Sequence, residues 1–179
     1  AYHRPEVDVV SMYVDQFPEK DLAREREKRL GVKIYPSVEE ALTLGTSKLA
    51  VDGVVIIAEH GKYPKNAKGQ TLYPRYKWFK QTTAVFEASG RSAPVFNDKH
   101  LSTDWLECVE MVDLSRRLEF PFLAGSSLPV ESLLSRVSYT KLTLIVPGPR
   151  AFAAKGLGSP LSPPGSLIRS TNAGRAVSF

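Results

Sequence analysis

The sequence predicts an α/β protein built on a doubly wound, mostly parallel sheet. Three observations carry that prediction. Short apolar segments alternate along the chain with helix-forming segments, the order expected of strand–helix–strand units. Gly53 to Ala58 reads Gly-Val-Val-Ile-Ile-Ala, apolar on both faces, as a strand covered by helices on both sides must be. The polar and ionisable residues gather just beyond the ends of these apolar runs, where an open parallel sheet forms its sites.

Taken in order, Val7 to Val14 is a strand ending at Asp15. Pro18 to Leu30 is helical, with Pro18 suited to the first turn and Gly31 placed to stop it. Val32 to Tyr35 is a short strand. Ser37 and Glu40 form a capping-box pattern opening a helix that ends near Leu44-Gly45. After the strand at Gly53–Ala58, residues 59–74 form a long polar connection. Arg75 to Ser89 is a helix stopped by Gly90, with Trp78, Phe79, Val85 and Phe86 on one side. Pro94 to Asn97 is the next strand, and Thr103 to Leu118 the next helix. Trp105, Cys108, Val109 and Val112 are spaced to share its apolar face. Phe120 to Ala124 is a further strand. Leu142 to Val146 could form another, but the sequence after Pro147 is rich in Gly, Pro, Ser and Ala. Residues 131–179 are therefore read as an atypical, irregular tail, and residues 1–130 as the folded domain.

The chain has 179 residues, 42% of them hydrophobic and 24% charged, which suits one soluble domain. No apolar run approaches the length needed to cross a bilayer, so no membrane partner is expected and a cytoplasmic location is the default. The single Cys108 excludes an internal disulfide and a cysteine-rich zinc site. The net charge of +5 comes from one end: residues 136–179 hold six basic residues and no acid, which leaves 18 basic against 19 acidic in the rest. That distribution argues against nucleic-acid binding by the domain. The lysines and arginines at 62–77 are interleaved with Tyr63, Tyr73, Tyr76, Trp78 and Phe79. Such mixing could bind nucleic acid or sugar, but the expected arrangement is aromatics packed inward and charges facing water.

Four groups should share the rim formed by the strands' carboxyl ends: Asp15, Glu59-His60, Asn97-Asp98-Lys99-His100 and Ser126-Ser127. Each has two readings. Asp15 ends a strand, or it holds the ribose hydroxyls of a dinucleotide; no glycine-rich fingerprint precedes it. His60 decorates a loop or lines a pocket. Asp98 is a solvated turn acid or faces substrate. Lys99 is a surface lysine or contacts substrate and cofactor. His100 flanks a helix start or relays protons. Glu59, His60, Asp98 and His100 are acceptable ligands for zinc or manganese, but no tight ligand spacing supports a metal. Gly156-Leu157-Gly158 has no following helix and is not a phosphate loop. Ser126 and Ser127 lack a nucleophile-elbow motif.

Residues 7–130 resemble the N-terminal domain of the glucose–fructose oxidoreductase/inositol dehydrogenase (Gfo/Idh/MocA) family. Val9-Val10-Ser11-Met12-Tyr13-Val14-Asp15 is similar to that family's second strand with its ribose-binding acid. Gly31-Val32-Lys33-Ile34-Tyr35-Pro36-Ser37-Val38-Glu39-Glu40-Ala41-Leu42 and Val51-Asp52-Gly53-Val54-Val55-Ile56-Ile57 resemble the segments that follow. Pro94-Val95-Phe96-Asn97-Asp98-Lys99-His100-Leu101 resembles the strand ending in Glu-Lys-Pro, with Asp98 for the acid and His100 for the proline. Together with Glu59-His60-Gly61 and Ala124 to Pro129, the wording resembles a poorly characterised bacterial branch. The resemblance implies a partial Rossmann-like domain that lacks its first strand and glycine loop, from a protein truncated at both ends. It implies NAD or NADP as cofactor, with NAD favoured by the acid at Asp15, and hydride transfer at a sugar or cyclitol carbon. Lys99 and His100 would be catalytic. Asp15, Glu59 and Lys99 would bind cofactor, and His60, Asp98 and Ser126 would line the substrate pocket. The intact protein would take a sugar-like substrate and form a homo-oligomer, and this piece alone would be inactive. A non-catalytic binding or scaffold protein and a metal-dependent sugar enzyme remain alternatives.

Overall fold

A computed structural model describes residues 7–19, 21–125 and 141–146. Six strands form one sheet: β1 (Asp8–Val14), β2 (Lys33–Tyr35), β3 (Gly53–Ile56), β4 (Val95–Asp98), β5 (Phe122–Gly125) and β6 (Lys141–Val146). Four helices connect them: α1 (Ala23–Leu30), α2 (Val38–Thr43), α3 (Arg75–Ser89) and α4 (Trp105–Arg117). The strand order is β2-β1-β6-β3-β4-β5, and every pairing is parallel. This is the doubly wound α/β architecture the sequence predicts.

The local signals account for the element ends. Ser37 accepts a hydrogen bond from the Glu40 N–H at 3.0 Å, the first half of a capping box. Gly31 and Gly90 close α1 and α3 in the left-handed conformation, at φ 68° and 60°. The first helix is shorter than its sequence suggests and begins at Ala23, where Asp21 accepts from the Ala23 N–H at 2.9 Å.

Both faces of the sheet are covered. Val54 and Ile56 of β3, Val95 of β4 and Ile145 of β6 pack with Val38 and Leu42 of α2, Trp78, Phe79, Val85 and Phe86 of α3, and Met111 and Leu114 of α4. On the opposite face, Met12 and Val14 pack with Ala23 of α1 and with Val32, and Val55 and Ile57 lie against them. Right-handed crossovers give this result, because the connection from β1 to β2 runs one way across the sheet and those from β2 to β3, β3 to β4 and β4 to β5 run the other.

Two expectations need correction. The apolar spacing of α4 puts Trp105 on the core stripe, yet Trp105 is 77% exposed, and Leu106 and Val109 are exposed beside it. The residues α4 buries are Met111, Leu114 and Ser115, in its last two turns. The buried stripe lies about a third of a turn round the helix from the predicted one, so Val112, in the same turns as Met111 and Leu114, is only half-buried. The second correction concerns the tail: the strand read at Leu142 to Val146 is present, as β6, but it belongs to the folded sheet rather than to an irregular tail. Residues 141–146 stand inside the sheet, hydrogen-bonded to β1 on one side and β3 on the other. In a sheet of order 3-2-1-4-5-6 that position belongs to the first strand. The irregular stretch expected after Pro147 lies outside the described residues. No helix among the described residues is long and apolar enough to cross a membrane.

Candidate functional site

Because all six strands are parallel, their carboxyl ends share one rim, and the helices that follow them start on it. Asp15 leaves β1, Glu59 and His60 follow β3, Asp98 ends β4 with Lys99 and His100 just beyond, and Arg75 opens α3. The direction of winding reverses between β1 and β3, the strands on either side of β6, which makes the crevice there the expected ligand position.

On one side stands Asp15. Tyr13 donates its hydroxyl to Oδ1 and Tyr63 donates to Oδ2, both at 2.8 Å. Burial, then the bond to Asp15, pushes both phenols well above their ordinary range. Next to Asp15, the Gln16 amide brackets Lys62, donating to its carbonyl at 3.1 Å and accepting from its N–H at 2.9 Å. The loop leaving β3 is thereby tied to the exit of β1 and spans the width of the strand between them. Gly61 makes the turn at φ 89°, where an added Cβ would fall 2.7 Å from the Tyr63 ring. His60, at φ 74°, is exposed on the same turn.

On the other side is a denser cluster. Lys99 has φ 72°, an uncommon backbone conformation for a long side chain, and its N–H donates to the Gly125 carbonyl at 2.7 Å. Its ammonium lies 4.0 Å from Glu59, both side chains being 35% exposed. Asn97 is fully buried and donates to the His100 carbonyl at 3.1 Å, which fixes the chain as it leaves β4. Asp98 is buried beside it. Arg75, 2% exposed, puts its guanidinium over the Tyr73 ring at 4.9 Å and its Nη1 3.2 Å from His100 Nε2. Arginine can only donate, so Nε2 accepts and His100 is neutral with its proton on Nδ1. Burial, then the Arg75 charge, lowers the imidazole pKa, against a smaller pull from Glu59. Burial also lowers that of Arg75, opposed by Glu59, Tyr73 and Asp98.

The structure thus brings Glu59, Lys99, Asp98 and His100 to one cluster and holds Asp15 apart from it. Between β1 and β4 lie three strand spacings, roughly 14 Å. His60 is at the rim with its side chain in solvent, and Ser126 lies outside the described residues. Among the described residues no group of three or more His, Cys, Asp and Glu could hold a metal ion.

Sequence reasoning missed three participants. Tyr13 and Tyr63 look like packing residues until the loop folds back on Asp15. Arg75 was expected to face water with Lys62, Lys65, Lys68 and Lys77, which do; it is instead buried. Its position carried a usable signal, since the first residue of a helix that follows a parallel strand sits on the binding rim. Models of known families, curated proteins and solved structures contain no match to this chain.

Proposed function

We propose that this chain forms the nucleotide-binding part of a cytoplasmic NAD-dependent oxidoreductase acting on a sugar or cyclitol hydroxyl carbon. The observation that carries the proposal is the winding reversal between β1 and β3, with an acid at the end of β1 and a lysine just beyond β4. The two groups stand far enough apart for the ends of one extended ligand.

The residues fit the adenosine end of the cofactor. Asp15 is half-buried on the rim, and each carboxylate oxygen, already accepting one tyrosine hydroxyl, keeps a lone pair for a ribose hydroxyl. A carboxylate there repels a 2′-phosphate and so favours NAD over NADP. When bound, nicotinamide supplies or accepts the hydride. The chain's own part is positioning. Lys99 donates to the substrate oxygen and stabilises negative charge developing on it. Glu59 holds the ammonium in place from 4.0 Å away. His100 supports Arg75 through Nε2 and presents its Nδ1–H, and Asp98 and His60 line the approach.

NADH fluorescence titration tests the reading. Saturable binding is expected, tighter than for NADPH, with the preference lost in Asp15→Ala. No saturation up to millimolar cofactor refutes it.

A further inference from the structure

Arg75 uses only part of its hydrogen-bonding capacity. Nη1 is spent on His100 and one face of the guanidinium on Tyr73. Nε and Nη2 have no hydrogen-bond partner, although both are buried. These two nitrogens form one edge of the guanidinium, and their N–H groups point the same way, as a fork that matches the two oxygens of an oxyanion. Leaving such a pair unmet is costly, because each buried donor has given up its bond to water without a replacement. A second buried polar atom close in sequence to His100, Asn97 Oδ1, is also unpartnered. The fork sits at the N-terminus of α3, a 15-residue helix whose dipole favours negative charge there.

We propose that the Nε–Nη2 edge of Arg75 binds the carboxylate of a small acidic ligand. Resting on the oxidoreductase reading above, this makes the substrate class a sugar acid. Charge selects the ligand further. Arg75 and Lys99 are opposed locally by Glu59 and Asp98, and His100 is neutral, so the cluster accommodates one added negative charge more readily than two. A carboxylate is therefore favoured over a phosphate monoester. Glu59 links the two functions, since it lies against Lys99 and its charge also acts on Arg75. Both free nitrogens are closed to solvent, so binding requires side-chain movement and is slower than a diffusion-limited encounter.

Thermal unfolding of the whole chain without cofactor, at matched ionic strength, tests this with D-glucuronate, D-glucose and D-glucose 6-phosphate as probes. Glucuronate is expected to raise the melting temperature saturably and glucose to leave it unchanged. Arg75→Lys keeps the charge but lacks the fork, and should bind glucuronate roughly tenfold more weakly, the equivalent of about one charge-assisted hydrogen bond. Equal responses of the unaltered chain to glucuronate and glucose overturn the proposal, as expected if the edge holds only water; that arm stands even if Arg75→Lys does not fold. A larger response to the phosphate ester overturns the choice of carboxylate. Glucuronate binding without NADH binding removes the oxidoreductase reading and leaves this one standing.

Discussion

Replacing Asp15 by alanine removes the acceptor of two hydroxyls at once. A hydrogen bond to a charged group contributes about 1.5–3 kcal/mol. Tyr13, Tyr63 and Asp15 are all part-buried, so water can reach the vacated hydroxyls and the lower end applies. Two such bonds give a loss of roughly 3 kcal/mol, which lowers the melting temperature of a chain this size by about 6–12 °C. Circular dichroism melts at neutral pH measure it. Asp15→Asn, which keeps one accepting oxygen, should fall between. Phenolate absorbance supplies an independent reading. Burial and the Asp15 bond raise both tyrosines above the unfolded value of about 10. The stability they contribute is complete below that pH and is lost as pH rises above it, because the unfolded chain releases the two protons first. Asp15→Ala should bring both phenols back toward ordinary titration and flatten that alkaline loss. A variant that melts within about a degree of the parent, with its tyrosines still resistant to base, would refute the bridge as a source of stability.

Two further outcomes follow from the same rim. Gly61→Ala puts a Cβ 2.7 Å from the Tyr63 ring at φ 89°, and should cost about 1–3 kcal/mol and speed proteolysis at Lys62 and Lys65; unchanged cleavage would count against the strained turn. His100 is held below its unfolded value of 6.5 by burial and by Arg75, so the unfolded chain takes up the proton first as pH falls. Stability should be full above that value and decline below it, and His100→Gln should flatten the slope in melts between neutral and mildly acidic pH.

Elements whose signals were local could be read directly. Helix α3 is flanked by Pro74 and Gly90, and its buried Trp78, Phe79, Val85 and Phe86 are the residues its period picks out. Strand β4 and the charged cluster beyond it were likewise visible as an apolar run that stops abruptly. What depended on distant partners was not. Leu142 to Val146 could be read as a strand, but the Gly- and Pro-rich sequence after it set it outside the domain, and nothing within six residues reveals that β1 and β3 stand ready on either side. Periodicity gathered Trp105, Cys108, Val109 and Val112 on one face of α4 but could not say which face the core would meet. Arg75 looked like one basic residue among many, because its burial depends on Tyr73 and His100 arriving from separate segments.

The position of β6 has a consequence for how the sheet assembles. As the chain emerges from the ribosome, β2 and β1 can pair, and so can β3, β4 and β5, but the two groups share no direct ladder. Each keeps an open inner edge until β6, the final described strand, closes both together. The β1–β6 pairs, from Asp8↔Lys141 onward, join residues far apart in the sequence, the kind of contact that forms slowly. Until they do, the nascent protein carries two unpaired edges able to capture another chain. A chain shortened before Lys141 should therefore aggregate as two half-sheets rather than persist as a smaller version of the same fold.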